Sequence, residues 1–154
     1  MTKLDYVQWD ITAACNLNCL HCREKATTSS IRDDLTLEEC KSFIDQIVAF
    51  NTHTLSIAGG EPLMSPLIWD VLSYASGKFK RLVISSNGTK IDEAVAHQLG
   101  RYVTNVQISI DGSNEISHDK MRGSGNFSKA INLIPRGSAA GPYRKVWKPL
   151  VAKI

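Results

Sequence analysis

Tyr6-Val7-Gln8-Trp9-Asp10-Ile11-Thr12 and, just beyond it, Cys15-Asn16-Leu17-Asn18-Cys19-Leu20-His21-Cys22 decide how this chain is read. In the first stretch Val7, Trp9 and Ile11 alternate with Gln8, Asp10 and Thr12, the period of a strand with one apolar face. In the second, three cysteines stand in CxxxCxxC spacing. A strand that runs straight into a thiol-rich loop places that loop at the strand's carboxyl end. In α/β sheets and barrels that is the end where ligands bind.

Strands and helices alternate from there on. Thr36 and Glu39 form a capping box ahead of a helix whose Leu37, Cys40, Ile44, Ile47 and Val48 share one face. Residues 54–58 form the second strand. The second helix takes Ser65 as its N-cap and Pro66 as its first residue, and stops near Gly77. Residues 81–85 form the third strand, 91–99 a short helix ended by Gly100, and 105–110 the fourth strand. A last helix begins after Asn126, carries Phe127, Ala130, Ile131 and Ile134, and is stopped by Pro135. Four strand–helix units predict an α/β fold with a parallel sheet and right-handed crossovers.

Buried parallel strands are normally apolar on both faces. The first and fourth strands depart from this, with Gln8, Asp10 and Thr12 on one and Gln107, Ser109 and Asp111 on the other. These polar faces predict a wet cavity; the alternative is an edge facing solvent.

The 154 residues, 43% hydrophobic and 21% charged, suit one domain with a buried core. No apolar run approaches the ~18 residues of a membrane span. Early acids and the lack of an apolar signal region argue against export, so a cytoplasmic location is expected. In that compartment Cys15, Cys19 and Cys22 read as metal or redox chemistry, not as disulfides. Cys40, on the apolar helical face, reads as core.

Three thiolates on one loop can hold three irons of a [4Fe–4S] cluster and leave the fourth iron free for another ligand. A structural zinc site is the alternative, although zinc usually takes four closed ligands. Gly59-Gly60-Glu61-Pro62 ends the second strand. Its glycines allow close approach of a ligand, and Glu61 offers a carboxylate to a cation. Ser86-Asn87-Gly88 ends the third strand and Ser109-Ile110-Asp111-Gly112 the fourth. Each alone reads as a turn; four in order at one end of a sheet read as a site.

With these residues the chain resembles the radical S-adenosylmethionine (radical SAM) superfamily. The stretch His118-Asp119-Lys120-Met121-Arg122-Gly123 adds to the match, and the resemblance covers roughly residues 4–134. It is similar to the branch with a C-terminal auxiliary-cluster (SPASM-type) domain, which includes haem-maturation and peptide-modifying members. The resemblance implies a partial (β/α) barrel of six strand–helix units, about four of them present here.

Residue by residue, the resemblance implies Cys15, Cys19 and Cys22 as cluster ligands, with the fourth iron chelated by the methionine part of SAM. Gly59, Gly60, Glu61 and Pro62 match the motif that holds the SAM amino group. Asn87 falls in the matching turn after the third strand. Ser109 and Asp111 match positions near the ribose, Arg122 a partner of the SAM carboxylate, and His21 a neighbour of the adenine. The implied reaction is one-electron cleavage of SAM to methionine and a 5′-deoxyadenosyl radical that abstracts a substrate hydrogen. The implied partners are SAM, an unknown substrate (a tetrapyrrole or a peptide), and an electron donor such as flavodoxin or ferredoxin.

Residues 120–154 hold 8 Lys/Arg and no acid, whereas residues 1–119 hold 10 Lys/Arg and all 15 Asp/Glu. The division expected is therefore 1–134, the N-terminal portion of a radical SAM core, and 135–154, an atypical basic tail outside the family fold. The tail reads as an out-of-frame or unrelated ending; a genuine basic arm is the alternative. One short basic stretch with Tyr143 and Trp147 is weak ground for a nucleic-acid or membrane contact, and neither is expected. The missing half barrel leaves a second function open: a truncated, catalytically incompetent remnant that binds a cluster or other metal without turnover.

Overall fold

The computed structural model describes residues 4–23, 25, 35–133 and 150–151. Their elements alternate as the patterning predicts. Strand β1 (Tyr6–Thr12) is followed by helix α1 (Leu37–Ala49), β2 (Thr54–Gly59), a 3₁₀ turn (Pro62–Met64) and α2 (Ile68–Ala75). Then come β3 (Arg81–Ser86), α3 (Glu93–Tyr102), β4 (Asn105–Ile110), α4 (Glu115–Arg122), α5 (Asn126–Asn132) and β5 (Leu150–Val151). The sheet order is β1-β2-β3-β4-β5, and every pairing is parallel. No helix among the described residues is long and apolar enough to cross a membrane.

The two faces of the sheet separate as their residues require. Ile11, Leu55, Ile57, Leu82, Ile84, Val106 and Ile108 point into one core with Cys40, Ile44 and Ile47 of α1 and Val71, Leu72 and Ala75 of α2. Trp9 closes that core at the β1 edge, its ring 4.9 Å from that of Phe43. On the other face Gln8 stands beside Ser56, and Ser85 beside Gln107, whose Oε1 accepts a hydrogen bond from the Ser85 hydroxyl at 2.8 Å. The polar strand faces thus share the side of the sheet turned away from the helices.

Several local expectations are corrected. Ser65 does not cap α2: the helix begins three residues later, without a side-chain cap. The Ser65 carbonyl and hydroxyl instead accept from Ile68 and Leu67, because the 3₁₀ turn from Pro62 uses Ser65 as its own end. Helix α3 is capped by Asp92 and runs through Gly100 to Tyr102. Packing of Leu99 keeps the helix intact there, at the modest cost of an interior glycine.

Helix α4 was not expected. Only His118 of its eight residues is buried, so it has no apolar stripe to read. The four strand–helix units stand as expected, and a two-residue strand, β5, joins them at the β4 edge, pairing Leu150 with Ser109 and Val151 with Ile110. Two residues of the basic tail therefore lie on the sheet edge. The rest of residues 134–154, with Ile134 and Pro135, lies outside the described residues.

The ends of α4 carry readable signals. Asn114 Oδ1 accepts from the Ser117 amide at 3.0 Å, Glu115 sits in the first turn, Lys120 and Arg122 sit in the last, and Gly123 follows at φ 94°. Asn114→Ala is expected to cost about 1 kcal/mol, read as a fall of a few degrees in melting temperature by circular dichroism.

Candidate functional site

The carboxyl ends of β1 to β4 converge on one cavity of about 290 Å³. Cys15, Cys19, Cys22 and His21 line it from the cysteine loop, and Gly59 and Gly60 from the end of β2. Ser85, Ser86 and Asn87 come from β3, Ser109 from β4 and Arg122 from α4. The structure thus brings together most of the residues expected there. It adds Leu17, from within the cysteine motif, and Arg23, Ala58 and Ser85, which carry no motif.

None of the four cysteines forms a disulfide; Cys15 is buried, Cys19 and Cys22 are half-buried, and Cys40, on α1, lies in the core. Burial pushes the Cys15 thiol up, and the nearby Glu61 and Cys22 charges add to this; the Leu17 amide and the Asn87 side chain pull it back. Burial also pushes Cys19 up, and the Arg122 guanidinium offsets part of that. A metal centre bound here displaces protons from these thiols. Among the described residues no three His, Cys, Asp or Glu side chains are gathered around a single ion position.

The glycine pair, which lines the cavity, also has a reason within the chain. A Cβ on Gly59 would stand 2.4 Å from the Thr12 carbonyl oxygen, and one on Gly60 2.3 Å from that of Ala14. Gly59 also has φ 125°, a conformation open to glycine. The close approach made here is to the backbone that leads into the cysteine loop. The Gly60 and Glu61 amides each donate to that backbone at 2.8 Å, to Thr12 and Ala14.

Glu61 is also placed differently from the expectation. Its side chain is fully buried and does not line the cavity. Oε1 accepts from the Ser86 hydroxyl at 2.9 Å and the Leu63 amide at 3.3 Å, and Oε2 accepts from the Asn87 amide at 2.8 Å. Burial pushes its pKa up, while these donors favour the ionised form. Pro62 is buried at the head of the 3₁₀ turn and likewise stays out of the cavity.

The opposite wall is electrostatic. Asp111, expected near the ribose, does not line the cavity itself but pairs with two residues that do, His21 and Arg122. The Asp111 carboxylate Oδ2 accepts from Arg122 Nε and lies 3.1 Å from His21 Nε2. His118, buried in α4, accepts the Asp111 amide proton on Nδ1 at 3.2 Å and packs against Phe127. The Met121 carbonyl accepts from the Leu20 amide at 2.9 Å, which pins the middle of the cysteine loop to the end of α4. The unexpected helix therefore supplies both a cation and a tether.

The radical SAM superfamily profile matches residues 9–143. The chain belongs to the radical SAM superfamily. The match extends nine residues past the boundary expected at 134. Among curated relatives, an AdoMet-dependent heme synthase of Methanosarcina barkeri is 36% identical over 127 residues, covering 81% of this chain and 36% of the relative. The mycofactocin maturase MftC of Mycobacterium tuberculosis is 36% identical over 137 residues, covering 86% of this chain and 34% of the relative. This radical SAM chain thus spans about a third of the length of the curated relatives it matches.

Among solved structures, Streptococcus suis SuiB bound to S-adenosylmethionine superposes with a TM-score of 0.72 at 16% identity, covering 84% of this chain and 30% of SuiB. The anSMEcpe structure with bound AdoMet gives 0.69 at 22% identity, covering 96% of this chain and 43% of that one. Both show the fold, a parallel sheet with alternating helices that forms part of a barrel.

Two outcomes follow from the geometry. Glu61→Gln sets an amide against N–H donors in a buried site, and is expected to destabilise the chain by about 1–3 kcal/mol in denaturant melts. Burial holds His118 below the ordinary histidine value, and Arg122 adds to this. The unfolded chain therefore takes up this proton first, so the contribution is complete above about pH 6.5 and is lost as pH falls below it. The urea midpoint is expected to drop between about pH 7 and about pH 5, and less steeply in His118→Gln.

Proposed function

We propose that this chain is the N-terminal portion of a radical SAM enzyme. In this reading it binds a [4Fe–4S] cluster through Cys15, Cys19 and Cys22, and SAM in the cavity beside it. One observation carries the proposal: three free thiols from one loop line a single cavity with Gly59, Gly60, Ser109 and Arg122 at the carboxyl end of a parallel sheet. The donor set fits the group. Thiolates are the cluster's preferred ligands, and three of them leave one iron open. A structural zinc usually takes four closed ligands, and this loop offers three thiols to the cavity.

When bound, the cluster supplies the electron and SAM the radical precursor. The chain's own residues do the rest. Gly60 and Asn87 form the walls against which the methionine part rests. Arg122 offers its guanidinium to the SAM carboxylate, in exchange for part of its present contact with Asp111. Ser109 would meet the ribose and His21 the adenine; that both line the same cavity supports this. Glu61 acts on the amino-group side through the backbone, because its carboxylate is occupied.

The substrate is proposed to be a tetrapyrrole or a peptide. Matched relatives include a heme synthase and an Fe-coproporphyrin III synthase, and SuiB has been solved bound to its precursor peptide SuiA. The electron is proposed to come from a flavodoxin or a ferredoxin, in the cytoplasm.

Anaerobic reconstitution with iron and sulfide is expected to load about four irons per chain. Alanine at Cys15, Cys19 or Cys22 abolishes loading, and Cys40→Ala retains it. Iron content that survives Cys19→Ala but not Cys40→Ala would overturn the ligand assignment. With the loaded chain, Arg122→Ala is expected to weaken SAM binding by about tenfold in equilibrium dialysis, the loss of one charge-assisted hydrogen bond.

A further inference from the structure

Asn87 sits in the turn after β3, and half of its side chain has an ordinary explanation. Oδ1 accepts from the Thr89 amide at 2.9 Å and from its hydroxyl at 2.7 Å, an Asx turn that holds the chain at Gly88. An aspartate would make that turn equally well. The other half is not needed for the turn. Nδ2 donates to Asn16 Oδ1 at 2.9 Å and lies 4.0 Å from the Cys15 sulfur. Asn16 Nδ2 in turn donates to the Thr89 hydroxyl at 2.7 Å. Asn87, Asn16 and Thr89 thus close a ring of hydrogen bonds across two segments far apart in the chain.

That ring lies at one corner of the cysteine loop. The Cys15 sulfur also accepts from the Leu17 amide at 3.4 Å, so two N–H groups face it. Cys15 is buried, while Cys19 and Cys22 are half-buried. The Asn87 backbone is fixed as well, since its amide donates to the buried Glu61 carboxylate. The donor aimed at Cys15 is therefore held from both its main chain and its side chain.

We infer that Asn87 is a positioning residue for the Cys15 corner: its amide clamps the loop through Asn16 and directs an N–H at the Cys15 sulfur, presetting this ligand before any cluster binds. The inference rests on the reading of Cys15 as a cluster ligand only for its second consequence. The first is steric: in the cluster-free chain the clamp shields Cys15. The second is electronic: an N–H facing a ligand sulfur stabilises the more negative, reduced state, so its removal lowers the reduction potential.

The variants follow from the two halves of the side chain. Asn87→Asp keeps the acceptor for Thr89 and loses both donors. Asn87→Ser keeps a weaker turn, loses the donors and adds no charge. Asn16→Ala leaves Asn87 intact and removes the acceptor that aims it. All are checked for native circular dichroism, and a variant that fails to fold is replaced by the next in this order.

The full chain is first labelled, cluster-free, with iodoacetamide at fixed pH, and each cysteine is followed by mass spectrometry. Cys15 of the wild type is expected to react more slowly than Cys19 and Cys22. Read at a pH high enough to ionise every thiol, so that loss of the Nδ2 donor does not change the thiolate fraction, its rate in the variants rises about threefold or more, the loss of one neutral hydrogen bond from the clamp, while Cys40 is unchanged. The reconstituted proteins are then titrated against dithionite by electron paramagnetic resonance. At equal iron content the reduced-to-oxidised ratio at a fixed ambient potential is expected to fall about threefold or more in Asn87→Asp and Asn87→Ser.

An unchanged Cys15 labelling rate in folded variants overturns the clamp. A faster label with an unchanged potential overturns the donor bond to the cluster. If the wild type loads no cluster, the proposed function fails while the labelling still decides whether Asn87 clamps Cys15.

Discussion

A buried carboxylate ties this structure together. Glu61 has no exposed surface, and its oxygens are filled by donors from Leu63, Ser86 and Asn87. Its own amide donates to Ala14. One residue therefore joins the exits of β1, β2 and β3 at the rim of the sheet. A buried charge is tolerated only with such complete partnering, so the three strand ends can take few other relative positions. The cysteine loop begins at this junction, and its first thiol inherits the order.

The second anchor of the loop is weaker and comes from the other side. The Leu20 amide meets the Met121 carbonyl, and His21 meets Asp111. Asp111 is held in turn by the buried His118 ring and by Arg122. Arg122 thus faces the thiols while paired to a carboxylate, and an incoming anion competes with Asp111 for it. The cavity has a rigid wall made of strand ends and an electrostatic wall made of side chains that can exchange partners. Binding that depends on charge belongs to the second wall, and positioning belongs to the first.

Much of the fold was legible because the chain keeps simple periods. The β1 and β4 alternation, the Thr36–Glu39 capping box and the apolar face of α1 appear in the structure as read. What escaped the reading lacked a period. Helix α4 packs only through His118, so its apolar signal is absent, and its caps are spread over Asn114 and Gly123. Ser65 and Pro66 suit a helix start and a turn equally well, and the 3₁₀ turn from Pro62 uses Ser65 as its end, so α2 begins later than the pattern predicts. The fifth strand is two residues long and carries no pattern.

The amino-acid sequence by itself determined the fold class, the family and the candidate ligands, because thiol spacing and strand-end glycines are local features of the chain. Only the tertiary structure decided what those residues do to one another. Gly59 and Gly60 are required by the Thr12–Ala14 backbone and not by a ligand alone, since the clash arises between segments brought together by sheet pairing. Glu61 turns into the protein instead of the cavity, because its partners on β3 are visible only once β2 and β3 lie side by side. Asn87 meets Cys15 and Asn16 across more than seventy residues of chain. No local pattern can encode a contact of that range; it exists because parallel strands bring their carboxyl ends to one place.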